Sequence, residues 1–514
     1  MNRRNRNLSV LTLLWAWALL VVGCAGSDAQ DAVDANAEDS GVGALDGGAS
    51  EDTNATDVGA DEQDAGAAED GGADAAGSAD GAAADGGAAD AGAADTTPEL
   101  TWAERFDLVF PADHVVAIDL DFVAGGWLKL LTDWDTTQQK VYYEAAMHMD
   151  STKIASVGAR LKGLSSLPWS DGPIQPWRKY PLKVDFNRFG GPRLHGLDKI
   201  SLSNTGQDLS FMRERLAARL YETMDVKAPR TTYAKVTIDK HPLGLYVMVQ
   251  PIDKRFLKER YGTADSADDG NLYKCVHNGK GVCNLAYRGA DKSEYLRTDS
   301  CQPSYEACGL VLKTHEDDPL WNDYSDLVHL LKVLNNTPDN QLEQLLTKVF
   351  DVDSFLRLLA VTFTMSSYDS YLGKSNNFYL YHRPTDGRFE LLPWDFDGAY
   401  NGLYCNDIDN PTCGDVKNYP LVARILAVPA WNAKYRVYLQ QLLTDHFTVA
   451  KHKEWVAEFD AQVGPFVAAD PNYSKDVEHY KKLTTLDPLP GFTENIIAFV
   501  TERRTKLLAA LATE

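Results

Sequence analysis

Between Ser27 and Pro98 the sequence has no lysine or arginine and almost no large apolar side chain; alanine, glycine and aspartate fill the stretch. Such a segment cannot bury enough apolar surface to offset the entropy of ordering it, so it is predicted to be a disordered tether. At roughly 70 residues it spans about 50 Å as a random coil, and further as its like charges repel. Other absences exclude whole classes of chemistry. No C-x-x-C occurs and the histidines lack ligand spacing, which argues against the zinc alternative for the cysteines. H-E-x-x-H, G-x-S-x-G and G-x-G-x-x-G are also missing, so zincin, α/β-hydrolase and dinucleotide-binding readings have no starting residues. No basic stripe with interleaved aromatics is present, and no nucleic-acid partner is expected. No apolar run reaches the about 20 residues that a membrane-spanning helix needs.

The net charge of −24 is unevenly placed. About 20 of the acids sit in the tether and the N-terminal segment carries +3, leaving the folded part only mildly acidic, at about −7. At the N-terminus Arg3, Arg4 and Arg6 precede an apolar stretch from Leu11 to Val22, the layout of a secretory signal. Val21-Val22-Gly23-Cys24 resembles the bacterial lipobox, which implies a signal peptide over 1–24, diacylation of Cys24 and an exported lipoprotein held at a membrane by its lipid. Ala25 after that cysteine points to the outer membrane or cell surface; an ordinary signal peptide with Cys24 incidental is the alternative. The tether then occupies 25–99. The other six cysteines fall into sequence-local pairs, Cys275 with Cys283, Cys301 with Cys308 and Cys405 with Cys413, which in an exported chain read as three disulfides, although six cysteines allow 15 connectivities.

The folded part, 100–514, reads as α+β. Its first section, about 100–255, is strand-rich: Val115 to Phe122, Val141 to Met149, Lys153 to Leu161, Tyr180 to Phe186 and Thr231 to Ile238 alternate, the last turning through Asp239-Lys240-His241 into Leu243 to Val249. One amphipathic helix, Ser210 to about Thr223, interrupts them with Phe211, Leu216, Leu220 and Met224 on its apolar stripe. A disulfide-bearing insertion is expected at about 265–315. From about 318 to 514 helical periodicity dominates, broken by one strand pair, Asn377 to Tyr381 and Phe389 to Pro393, joined by Pro384-Thr385-Asp386-Gly387. A cleft is expected between the two lobes, and the oligomeric state is not legible.

The densest polar constellation runs Tyr368-Asp369-Ser370-Tyr371, Lys374-Ser375-Asn376-Asn377 and Pro393-Trp394-Asp395-Phe396-Asp397-Gly398. An acid after an apolar helix, an amide opening a strand and two acids after the return strand converge at one hairpin end, a set of oxygen ligands suited to a hard divalent cation. Gly373-Lys374-Ser375 is not a P-loop, because Tyr368 stands where its first glycine belongs.

Several stretches are similar to the CotH spore-coat kinase family: Arg160-Leu161-Lys162-Gly163-Leu164-Ser165-Ser166, Pro181-Leu182-Lys183-Val184-Asp185-Phe186, Met212-Arg213-Glu214, Leu243-Gly244-Leu245-Tyr246, Asn271-Leu272-Tyr273-Lys274, Asn377-Phe378-Tyr379-Leu380-Tyr381 and Pro393-Trp394-Asp395-Phe396-Asp397. They occur in the family's order from about Val115 to Tyr400. The resemblance implies an atypical protein kinase-like fold, a strand-rich N-lobe with one main helix and a helical C-lobe, using ATP and Mg²⁺, with Mn²⁺ as the substitute. It implies phosphoryl transfer to Ser or Thr of a protein on the surface or outside the cell. Asp369 would orient the acceptor hydroxyl, and Asn377 and Asp395, with Asp397 as a further ligand, would hold the metal. Lys183 and Glu214 would form the phosphate-side lysine–glutamate pair, and Arg160, Ser165 and Ser166 would contact nucleotide, the two serines having a plain turn as their alternative. Leu164, Gln250 and the Cys275–Cys308 stretch depart from the family pattern; Gln250 stands where a glutamate is usual, which bears on activity. Two other readings are a catalytically inactive surface module of the same fold, and a glycosyltransferase using Asp395-Phe396-Asp397 as a sugar-nucleotide metal motif.

Overall fold

The computed structural model describes residues 100–163, 167, 174–276, 283–299, 301, 305, 307–402, 405–412, 414–489, 491–492 and 494–513. The expected signal, Cys24 and the tether lie outside the described residues, as do Ser165, Ser166 and Cys413. Helix α1 (Trp102–Val109) begins at a capping box, the Thr101 hydroxyl accepting from the Glu104 N–H while the Glu104 carboxylate accepts from the Thr101 N–H. Strand β1 (Val116–Phe122) follows, then α2 (Gly126–Thr137), which buries Trp127, Leu130, Leu131 and Trp134 at helical spacing. Strands β2 (Tyr143–Met149), β3 (Thr152–Leu161), β4 (Leu182–Asp185) and β5 (Lys199–Ser203) lead into α3 (Arg213–Thr223), and β6 (Thr231–Ile238) and β7 (His241–Val249) complete the set. These strands close into a barrel in the order β1-β2-β3-β4-β5-β7-β6, sealed by a parallel pairing of β1 with β6. The β6–β7 turn places Asp239 and Lys240 at φ 47° and 67°, the backbone that a tight hairpin requires.

The expectation of one helix in this section is corrected: α1 and α2 accompany α3. Gly125 takes φ 75° at the N-cap, a backbone that glycine adopts without strain, and launches α2. Strand β5 was also not anticipated, although Ile200 and Leu202 alternate with Ser201 and Ser203.

Beyond the barrel come α4 (Lys254–Tyr261), β8 (Leu272–Val276), β9 (Leu296–Arg297) and β10 (Cys308–Leu312), then helices α5 (Ser325–Asn336), α6 (Asp339–Val349), α7 (Val352–Thr364) and the single turn α8 (Tyr371–Lys374). Strands β11 (Phe378–His382) and β12 (Phe389–Pro393) form the expected hairpin, but they belong to a five-stranded sheet ordered β12-β11-β8-β10-β9. Strands β8 and β10, at the two ends of the cysteine-bounded stretch, lie inside this sheet beside the hairpin, and β9, within the stretch, forms its edge. Disulfides join Cys275 to Cys283 and Cys301 to Cys308; the third expected pair involves Cys413, which is not described. Among the described strands only β1 and β6 pair in parallel, so the doubly wound sheet behind the glycosyltransferase reading is not found among the described residues. No helix among the described residues is long and apolar enough to cross a membrane.

Helices α9 (Pro420–Leu426), α10 (Pro429–Gln441), α11 (Val449–Val467), α12 (Val477–Thr484) and α13 (Ile496–Ala512) finish the chain. The barrel interior is one apolar core. A second, larger core joins these helices and the sheet to α3, which contributes Leu216, Leu220 and Tyr221. Helix α3 is thus buried on nearly every side. Its Arg215 lies over the rings of Tyr233 in the barrel and Phe459 in α11, and the Tyr221 hydroxyl meets Thr362 of α7 at 2.8 Å.

The segment after α11 is fastened to the barrel through Asp470. Its carboxylate accepts from the Leu245 N–H at 2.8 Å and from Lys179 Nζ at 2.6 Å. Gly244 sits at φ 109° against this carboxylate, and a Cβ there would lie 2.1 Å from Asp470 Oδ1. Gly244→Ala is therefore expected to destabilise the fold by about 3 kcal/mol or more, combining backbone strain with displacement of a buried ion pair. An unchanged denaturant midpoint would show that Asp470 retreats freely.

Buried His452 in α11 takes the Tyr400 hydroxyl at 3.0 Å on one ring nitrogen and faces the Thr448 carbonyl at 2.9 Å with the other. Burial pushes its pKa down to about 4. The unfolded chain binds a proton here from about pH 6.5 downward and the folded chain does not, so this contribution is complete above pH 6.5 and is lost as pH falls toward 4. His452→Gln should flatten that part of the stability–pH curve; a parallel curve would contradict the assignment.

Candidate functional site

The hairpin sets the geometry. Phe378 pairs with Pro393, and one step beyond, the Trp394 N–H donates to the Asn377 carbonyl at 3.1 Å. The chain then leaves the sheet through Asp395. Both Asn377 and Asp395 are in the left-handed region, at φ 53° and 63°, a cost that side chains bear mainly where position matters. Phe396 turns inward and packs on Tyr221 of α3 with ring centres 5.0 Å apart, while its N–H donates to Glu214 Oε2 at 3.2 Å. Between two acids, this one apolar residue draws α3 and the hairpin end together. As a result Glu214, Asp395 and Asp397 present oxygens that all lie within 4.8 Å of one another.

Three carboxylates so close, Glu214 buried and Asp395 and Asp397 part-buried, oppose one another's ionisation. Burial raises Glu214 well above the ordinary range, and the charges of Asp395 and Asp397 add to it. Asp397 is pushed up to about 8 by burial and by Asp395 and Asp208. Burial also raises Asp395, opposed by Lys162 and reinforced by Asp369. A divalent cation would relieve this repulsion, and hard oxygen donors are the set that magnesium takes. The residues present therefore fit a metal of that class. Glu214 joins Asp395 and Asp397 in this set, although the sequence had placed it with a strand lysine.

Asp369 follows α7 and immediately precedes Ser370, which caps α8. It is about one-third exposed, with Lys374 Nζ at 3.6 Å and Asn376 Nδ2 at 3.5 Å from Oδ1. The Asn377 Nδ2 donates to the Asp369 carbonyl at 2.8 Å, which ties Asp369 to the hairpin end. Asp369, Asn377, Asp395 and Asp397 are thus brought together as expected.

The cations are arranged differently from expectation. Lys162, at the end of β3, is the lysine whose charge acts on Glu214, Asp395 and Asp397 alike, and its ammonium lies 5.9 Å from the Trp394 ring centre. Lys274 of β8 also acts on Asp395. Lys183 lies in register with Arg160 across β3 and β4, but its charge acts on Asp253 at the start of α4. Arg160 is buried over the ring of Tyr142 and, with Lys274, depresses the neighbouring Lys140, whose burial pushes it down to about 7. Lys162 was readable: it stands two residues beyond Arg160, on the same face of an extended strand. Lys140, Lys274 and the buried Asp208, which acts on Asp397, carried no local signal. Gln250 lies apart from the carboxylates. It accepts from the Arg230 N–H at 2.9 Å and donates to Glu259 at 2.6 Å, so its departure from the family pattern falls in a structural network.

The family model described as CotH kinase protein matches residues 159–507. The chain is 25% identical over 310 residues to the inner spore coat protein H of Bacillus subtilis, covering 60% of this chain and 79% of that protein. It is 26% identical over 229 residues to the invasin CotH3 of Rhizopus delemar, covering 42% of this chain and 37% of that longer protein. With the family model spanning well over half its length, from β3 into α13, the chain belongs to the CotH kinase protein family.

Proposed function

We propose that this protein is an atypical, kinase-like phosphotransferase that takes the γ-phosphoryl group of ATP and passes it to a Ser or Thr hydroxyl of a protein at the cell surface or outside it. The observation that carries the reading is the meeting of Glu214, Asp395 and Asp397 beside Asp369 and Lys162. Glu214, Asp395 and Asp397 would hold magnesium, with the Asn377 amide oxygen beside them; the bound ion would neutralise charge on the phosphates. Lys162 and Arg160 offer donors to phosphate oxygens, and the Arg160 fork suits them geometrically. Asp369, about one-third exposed, would accept a hydrogen bond from an acceptor hydroxyl. Together these side chains would position donor and acceptor for transfer. The same reading makes the chain an exported lipoprotein, anchored through Cys24 and projected from the membrane by the acidic tether.

The test is transfer of the γ-phosphoryl label from ATP to the chain itself and to generic protein acceptors, with and without magnesium, beside a nucleotide-dependent melting shift. Stabilisation by magnesium with ATP together with metal-dependent labelling is expected. No nucleotide-dependent shift would leave a non-catalytic surface module. The choice of lysine provides a separate check: Lys162→Met is expected to lower transfer about a hundredfold and Lys183→Met by no more than about threefold. The reverse order would restore the phosphate role to Lys183.

A further inference from the structure

Lys140 lies between α2 and β2, ahead of residue 159 where the family match begins. It is only 5% exposed, yet its ammonium has no hydrogen bond or ion pair among the described residues. Its contacts are aromatic. The ring centre of Tyr305 lies 4.2 Å from Nζ and that of Trp134, in α2, 5.9 Å. Tyr305 belongs to the loop that the Cys301–Cys308 disulfide closes. A ring face attracts a cation, but by less than the burial of an ammonium costs. Arg160 and Lys274 are the charges that act on Lys140, and both are positive; burial together with them holds the amine down to about 7. A lysine so deeply buried ordinarily has a counter-charge, and an anion would supply the one missing here.

The surroundings of this group narrow the anion. Lys274 acts on Lys140 and on Asp395 alike, and the phenol of Tyr305 is acted on by Arg160 and by Asp395. The cations therefore adjoin the carboxylate cluster. A chain of phosphates suits both neighbours: a divalent ion held by the acids would take some of its oxygens, and the ammonium and guanidinium groups the others. We propose that Lys140, with Arg160 and Lys274, forms a subsite for the phosphate chain of the nucleotide donor, covered by Tyr305 from the disulfide-closed loop. This deepens the phosphotransferase reading and rests on it. Three cations beside a metal site favour a triphosphate donor over a monophosphate, and one of the three comes from a segment outside the family match.

The experiment is calorimetric titration of the full chain with inorganic tripolyphosphate, without divalent cations and at about pH 6, where the Lys140 amine carries its proton. One saturable site is expected. Lys140→Met should weaken it at least about tenfold, while Lys183→Met, on the lysine that acts on Asp253, should leave it within about twofold. Melting curves separate this role from a structural one. Removal of a buried, unpaired ammonium should raise the melting temperature of the ligand-free Lys140→Met chain and shrink the further rise that tripolyphosphate gives the parent. The proposal is overturned if tripolyphosphate does not bind the parent at millimolar concentration. It is equally overturned if Lys140→Met melts lower and binds as the parent does, even where ATP labels the chain. Binding that depends on Lys140 in a chain that ATP never labels would uphold the phosphate-chain subsite and remove the phosphotransferase reading instead.

Discussion

Asp395→Ala should raise the melting temperature of the metal-free protein while abolishing the further rise that magnesium with ATP gives the parent. The two signs follow from one cause. Asp395 is among the charges that hold both Glu214 and Asp397 above the carboxylate range, so its removal lets the remaining pair ionise more easily. The same removal takes away one of three oxygens lying within 4.8 Å of one another, and with it the grip on a divalent cation. Metal-dependent phosphoryl transfer should fall by at least about a thousandfold, equivalent to about 4 kcal/mol in the barrier. A variant that is less stable without metal, yet still stabilised by magnesium, would mean that Asp395 serves the fold and the metal lies elsewhere.

Asp369→Asn is expected to separate the proton-handling role from the metal-holding one. Asp369 lies outside the close triad, and its side-chain neighbours Lys374 and Asn376 stand at 3.6 and 3.5 Å. The amide keeps the shape but has no charge with which to draw the proton of an acceptor hydroxyl. Turnover should fall about 10²- to 10⁴-fold, the range associated with losing a general base. The magnesium–nucleotide melting shift should persist within a degree or so of the parent, since Glu214, Asp395 and Asp397 are untouched. Loss of the nucleotide shift along with turnover would assign Asp369 to the metal, and normal turnover would remove it from the chemistry.

The hairpin half of this site was readable because all its information is local. An apolar helix ending at an acid, an amide before Phe378, a Gly387 turn and two acids after Pro393 fix one another through a register of a few residues. Glu214 was harder to place. Arg213-Glu214-Arg215 has the composition of an exposed helix face, yet all three are buried, because the barrel covers one side of α3 and α11 the other. That arrangement depends on contacts no sequence window contains. Closure of the barrel had the same obstacle: alternation identified β1 and β6 separately, while their parallel pairing is set by the whole circuit of strands. The two lysines differ in a simpler way. Lys183 lies on β4 and Lys162 just past the end of β3, and only the position of the carboxylates decides that Lys162 acts on them while Lys183 acts on Asp253.

The bond from Phe396 to Glu214 joins residues 182 positions apart. Loop closure on that scale cannot be completed until the chain has been synthesised at least through Phe396, well past the barrel. A chain threaded across a bilayer in extended form would therefore carry no working centre in the compartment it departs, however much nucleotide that compartment holds. If the chain is exported and active as proposed, timing alone would confine that chemistry to the place where it finishes folding.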